Sequence, residues 1–116
     1  MANNKYLLTE IWRAKASWKA LSETERQKYL TEKMMPLLMQ MMEKGAEIIG
    51  AAVNENTSDE KMDYEYKAVW QLPDKSLSDQ LEKGVKEVGF YDYFEQVNFS
   101  GHAIGAEQLI GHMIRL

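Results

Sequence analysis

Along residues 62–72, MDYEYKAVWQL, large apolar side chains recur at every second position. Tyr64, Tyr66, Ala68, Trp70 and Leu72 share one face, and Asp63, Glu65, Lys67, Val69 and Gln71 share the other. That period of two belongs to a β-strand half-buried in a sheet. Residues 5–13, KYLLTEIWR, are aliphatic, aromatic and β-branched without a breaker, and predict a first strand. Residues 46–54, AEIIGAAVN, predict a second, and the polar NENTSDEK that follows predicts a hairpin turn into the 62–72 strand. A fourth strand is expected over 94–103, where Val97, Phe99, Gly101 and Ala103 alternate with Gln96, Asn98, Ser100 and His102.

Between these segments the period changes to that of a helix. Ser22 and Glu25 have the spacing of a capping box, in which each side chain takes the other's backbone amide. Tyr29, Leu30, Met34, Leu37, Leu38, Met41 and Met42 then recur at three and four, and Lys44 with Gly45 closes the stripe. Pro36 interrupts it with a missing backbone donor, which predicts a kink or a division into two helices. Leu77, Leu81, Val85 and Val88 predict a second helix, with Ser76 and Asp79 at its start and Gly89 at its end. Ala14–Ala20 is a connection with one helical turn around Trp18, and Leu109, Ile110, Met113 and Ile114 predict a short terminal helix beyond Gly105. The order strand, helix, strand, strand, helix, strand is that of an α+β, ferredoxin-like β-α-β-β-α-β domain, here one domain over residues 1–116. Two helices cover one face of its antiparallel sheet and leave the other to water or a partner.

Composition narrows the function. With 116 residues and 45% hydrophobic content the chain can bury its own core. It has no cysteine, hence no disulfide, thiolate metal site or cysteine nucleophile. The net charge of −4 argues against a nucleic-acid footprint, which needs a concentrated basic face. The start, MANNKYLLTE, does not read as a secretory signal, and the longest apolar run, Met34–Met42, is interrupted and too short to span a bilayer. No membrane association and a cytoplasmic location are therefore expected. Gly-rich phosphate loops, a Rossmann fingerprint, a G-x-S-x-G elbow and an H-E-x-x-H motif are all missing.

The remaining candidates lie on the strands. His102, beside Asn98 on the polar side of the last strand, has the chemistry of a general base; a strand-end histidine bonded to its neighbours is the plainer alternative. Glu65, Lys67 and Gln71 share a face and, depending on register, meet Gln96, Asn98 and His102 across the sheet. A carboxylate there could take a proton and Lys67 or Asn98 could polarise an oxygen, or the charges could form an ordinary surface pair. Glu10 and Trp12 share a face of the first strand, so Trp12 is a candidate to pack a ligand beside Glu10, whereas Tyr64, Tyr66 and Trp70 read as core. No compact His/Asp/Glu spacing supplies a third ligand beside the two histidines, so no metal and no cofactor are expected.

The element order, the long first helix, the YEYKAVW strand and the FYDYF run before the last strand resemble the dimeric α+β barrel superfamily, which includes antibiotic-biosynthesis monooxygenase-like domains. The resemblance covers nearly the whole chain and is one of layout. It implies a homodimer with its two sheets face to face, and a pocket between sheet and helices or inside the barrel. Members range from cofactor-free oxygenases and haem enzymes to isomerases and simple binders; a haem would have to hang on His102 alone. The leading expectation is a small-molecule-binding barrel, and its catalytic readings are cofactor-independent proton transfer or oxygenation of a small aromatic or carbonyl compound. In that expectation His102 is the base, Lys67 or Asn98 the polarising group, and Glu10, Trp12, Glu65, Gln71 and Gln96 line the ligand. A non-catalytic binding or accessory domain and a purely structural homodimer are the competing readings.

Overall fold

The computed structural model describes residues 5–116; residues 1–4 of the expected domain lie outside the described residues. Strands β1 (Tyr6–Ala14), β2 (Glu47–Val53), β3 (Tyr66–Leu72) and β4 (Phe94–His102) form one sheet in the order β2-β3-β1-β4, every pair antiparallel. Helices α1 (Ala16–Lys19), α2 (Glu23–Tyr29), α3 (Met35–Glu43) and α4 (Lys75–Glu87) join them, and α5 (Ala106–Ile114) follows β4. This is the ferredoxin-like α+β fold with an added C-terminal helix.

The long helical stripe is divided, as Pro36 requires. Between α2 and α3 the backbone opens into a π-helical turn over Leu30–Met34, just ahead of the proline. A proline has no N–H to give and its ring crowds the carbonyl four residues back; a wider turn relieves both. The capping box forms as expected: Ser22 Oγ accepts from Glu25 N at 3.1 Å and Glu25 Oε1 accepts from Ser22 N at 2.9 Å. At α4 the cap is Asp74, whose Oδ1 accepts from Leu77 N at 2.9 Å, in place of the expected Ser76. Lys75 and Asp79 instead pair one turn apart on the surface. Gly89 closes α4 with φ +80°, a left-handed conformation that favours glycine. Gly84 lets α4 approach α3 closely, since a Cβ there would sit 2.5 Å from Leu37 Cδ1.

β3 is shorter than its alternating pattern, starting at Tyr66 and not at Met62. Side chains take the groups a longer ladder would use: Asn54 Nδ2 donates to the carbonyls of Met62 and Tyr64, and Arg13 Nη1 to that of Asp63. Arg13 also pairs with Asp63 and Glu95.

The core lies between the sheet and α3–α4 and is built on Leu8, Trp70, Leu72, Leu81 and Val85. Its placement corrects one expectation. Register pairs Glu10 with both Ala68 and Asn98, Trp12 with Tyr66 and Gln96, and Tyr6 with Leu72 and His102. The polar side of β4 therefore faces the helices together with Trp70, and Val97 and Phe99 face away, Phe99 remaining 78% exposed. Lys67 and Gln71 alternate onto that far face, so they do not meet Gln96, Asn98 or His102.

Candidate functional site

Alternation along β1 should place four side chains, Tyr6, Leu8, Glu10 and Trp12, under the helices. One of them is a carboxylate, and burying it without partners would cost several kcal/mol, of the order set by desolvation of an ion. The inward turn of β4 answers that need. Glu10, only 6% exposed, accepts through Oε1 from Trp70 Nε1 at 2.8 Å and through Oε2 from Gln96 Nε2 at 2.9 Å. The same Gln96 nitrogen donates to Asn98 Oδ1 at 2.8 Å, and Asn98 Nδ2 donates to Glu82 Oε1 at 2.9 Å. The two strand amides thus run as a hydrogen-bonded line from the buried acid to a carboxylate on α4.

Burial pushes the Glu10 carboxyl above its usual range; the bonds from Trp70 and Gln96 pull it back, and the negative charge of Glu82 adds to the rise. Tyr91, beside Asn98, is also raised, chiefly by burial. No positively charged side chain lies among Glu10's hydrogen-bond partners.

Next to Glu10 is a cavity of about 480 Å³ between the sheet and the α2–α3 helical segment. Trp12, Tyr66, Trp70, Phe90 and Phe94 supply aromatic wall, and Met34, Leu38 and Val85 aliphatic wall; Glu10 and Gln96 are its polar members. Phe90 and Phe94 stack with centroids 4.3 Å apart, and Trp12 leans on Tyr66 at 5.9 Å and an angle of 35°. Half-exposed Leu30, Met35 and Ile48 at its margin form an apolar mouth. The π turn contributes Leu30 and Met34 to this wall, and wide turns of this kind are frequent at functional sites.

Of the sequence candidates, Glu10, Trp12 and Gln96 meet at this cavity, and Asn98 stands one bond away, tied to Glu82. His102, Lys67 and Asn98 are not brought together. His102 is exposed at the end of β4, edge-on to Tyr6 with ring centroids 4.9 Å apart, and does not line the cavity. Lys67 borders a different depression on the opposite sheet face, with Thr9, Ile11, Tyr64 and Phe99. Glu65 precedes β3 and accepts from Ala14 N at 3.4 Å, and Gln71 is on the far face. Neither histidine lines the cavity, so a haem held there by His102 does not fit this chain. Among the described residues no group of three or more His, Cys, Asp or Glu could hold a metal. No helix of the described residues is long and apolar enough to cross a membrane. Trp70, Tyr66 and Glu82 were not among the candidate site residues; Trp70 and Tyr66 carried only the signal of a buried strand face, and Glu82 the signal of an exposed helix.

The ferredoxin-like fold of this chain is shared by solved structures of the chlorite dismutase type. A protein provisionally assigned as a chlorite dismutase superposes with a TM-score of 0.71 at 15% identity, over 97% of this chain and 50% of that one. A substituted form of the chlorite dismutase of Candidatus Nitrospira defluvii gives 0.70 at 12% identity, over 96% and 45%. The same enzyme in complex with imidazole gives 0.71 at 12%, over 96% and 44%. Such identities carry the fold alone, and the chain spans about half the length of these structures. Residues 5–116 match a family of unknown function, DUF6616, and the chain belongs to that family. No curated protein matches the sequence.

Proposed function

We propose that the protein binds a small, largely apolar organic molecule in the cavity between sheet and helices. One observation carries this reading: a buried carboxyl, held by two N–H donors, stands on a wall otherwise aromatic and aliphatic. Binding pockets are built in this way, with a few placed polar groups in an apolar enclosure, and the volume lies within the usual range for small ligands. Where the protein is also an enzyme, the proton-transfer role expected of His102 falls to Glu10, because Glu10 and not His102 lines the cavity. Oxygenation of an activated aromatic compound would begin with the same proton removal and need dioxygen as co-substrate. The test is a titration with benzyl alcohol, followed by the indole N–H signals of Trp12 and Trp70. Both are expected to shift saturably, and an Ala51→Phe variant, which fills the cavity, is expected to abolish the effect. Indole signals unmoved by benzyl alcohol and by benzylamine alike overturn the reading.

We also propose a homodimer formed through the sheet face remote from the helices. Phe99 and Val97 stand exposed there, and α5 leaves Leu109, Ile110, Met113 and Ile114 exposed as one apolar stripe. Contiguous apolar patches above a few hundred Å² mark interaction surfaces. Native mass spectrometry should give a dimer, with Phe99→Glu shifting it toward monomer at least tenfold; a monomeric native protein removes this proposal.

A further inference from the structure

We infer that the cavity's ligand is a hydrophobic amine bound as its ammonium ion, which supplies the positive charge that Glu10 lacks. The inference rests on the cavity-binding reading and names its ligand class. Buried carboxylates in folded proteins are paired with a cation, coordinate a metal, or are kept neutral. Glu10 has neither of the first two: its partners are an indole N–H and an amide N–H, and the cavity wall contains no lysine, arginine or histidine. The charged and titratable groups that face it are Glu82 on α4 and Tyr91 in the turn before β4, and neither supplies positive charge.

The donors are the informative part. Trp70 Nε1 can only donate, and Gln96 Nε2 donates to Glu10 and Asn98 at once. An acid meant to stay protonated needs an acceptor for its own proton, whereas two N–H donors aimed at both oxygens are the arrangement that stabilises an anion. The site is thus preorganised for a carboxylate whose counter-charge is not part of the chain. The surrounding rings suit a cation for a second, independent reason. The faces of Trp12, Tyr66 and Phe90 carry partial negative charge, and ammonium groups are recognised by such aromatic enclosures. An anionic ligand would meet Glu10, with Glu82 behind it, and be repelled.

Three probes of the same size and shape separate the alternatives: benzylamine, benzyl alcohol and benzoate, titrated into the whole protein by calorimetry near neutral pH. The ammonium form of benzylamine is expected to bind at least tenfold more tightly than benzyl alcohol, and benzoate not at all. A Glu10→Gln variant should weaken benzylamine binding at least tenfold, to the level of benzyl alcohol on the native protein. If benzyl alcohol binds the native protein as well as benzylamine does, the amine inference fails and the cavity reading stands. If no probe of the three binds, the cavity reading fails with it. The native-protein comparison decides this even where the variant folds poorly.

Discussion

Replacing Trp70 with alanine should lower stability by about 3–5 kcal/mol, the usual cost of deleting a large aromatic from a packed core. Trp70 is 1% exposed and lies between Leu8 of β1 and Ile48 of β2 in the sheet register, beneath α4. The substitution also strands Glu10 Oε1, which loses its indole donor. Trp70→Phe separates the two effects, because it keeps most of the apolar volume and deletes the N–H. Leaving one buried partner unmatched costs roughly 1–3 kcal/mol, more where the partner is charged. For a domain of this size about 1 kcal/mol corresponds to some 4 °C in Tm. Thermal melts at pH 8 should therefore show Trp70→Phe several degrees below the native protein and Trp70→Ala some 10–20 °C below it. A Trp70→Phe variant as stable as the native protein would show that the indole bond contributes nothing to holding Glu10.

How far such a site can be read in advance depends on which interactions are local. The strands, the capping box at Ser22, the division at Pro36 and the Gly89 stop all follow from side chains acting on backbone within a few residues, and they are legible in the sequence. The ferredoxin-like order follows from them. What sequence alternation leaves open is which side of β4 turns inward. By hydropathy Val97 and Phe99 belong in the core and Gln96 and Asn98 in water. The structure turns the amides to the helix side, leaving Gln96 partly buried and Asn98 still exposed, because Glu10 on the neighbouring strand needs donors and only the amide side of β4 can provide them. That requirement joins positions 86 residues apart, so no local pattern carries it. His102 drew attention for its chemistry and ends exposed at the sheet's rim, whereas Glu10, set in a strand of mostly aliphatic and aromatic residues, carries the site. An acidic residue at an inward position of a strand is the signal to weigh more heavily, since its partners must then be sought elsewhere in the chain.

The native protein should lose stability as pH rises above about 4.5, and Glu10→Gln should lose less. In the folded chain burial holds the Glu10 carboxyl above its ordinary value of 4.5, to which it returns on unfolding. Between those two values the folded state retains a proton that the unfolded state has released. The unfolded state then binds fewer protons, and stability falls with pH until the folded group has itself ionised. Each unit of separation corresponds to about 1.4 kcal/mol. Glu25 works in the opposite sense, because its bonds to Ser22 hold its carboxyl low, so its contribution is lost as pH falls. The difference between the native protein and Glu10→Gln removes that and every other common term. In the variant the new amide oxygen can accept from Trp70, and Gln96 can turn its own amide over to accept in exchange; whatever this rearrangement costs is independent of pH. The slope of the difference from pH 4.5 upward is therefore the readout, and parallel curves would show that Glu10 is not held back from ionising. Addition of benzylamine should flatten the native curve selectively, since a bound cation lets Glu10 ionise within the fold and removes the reason for the pH dependence.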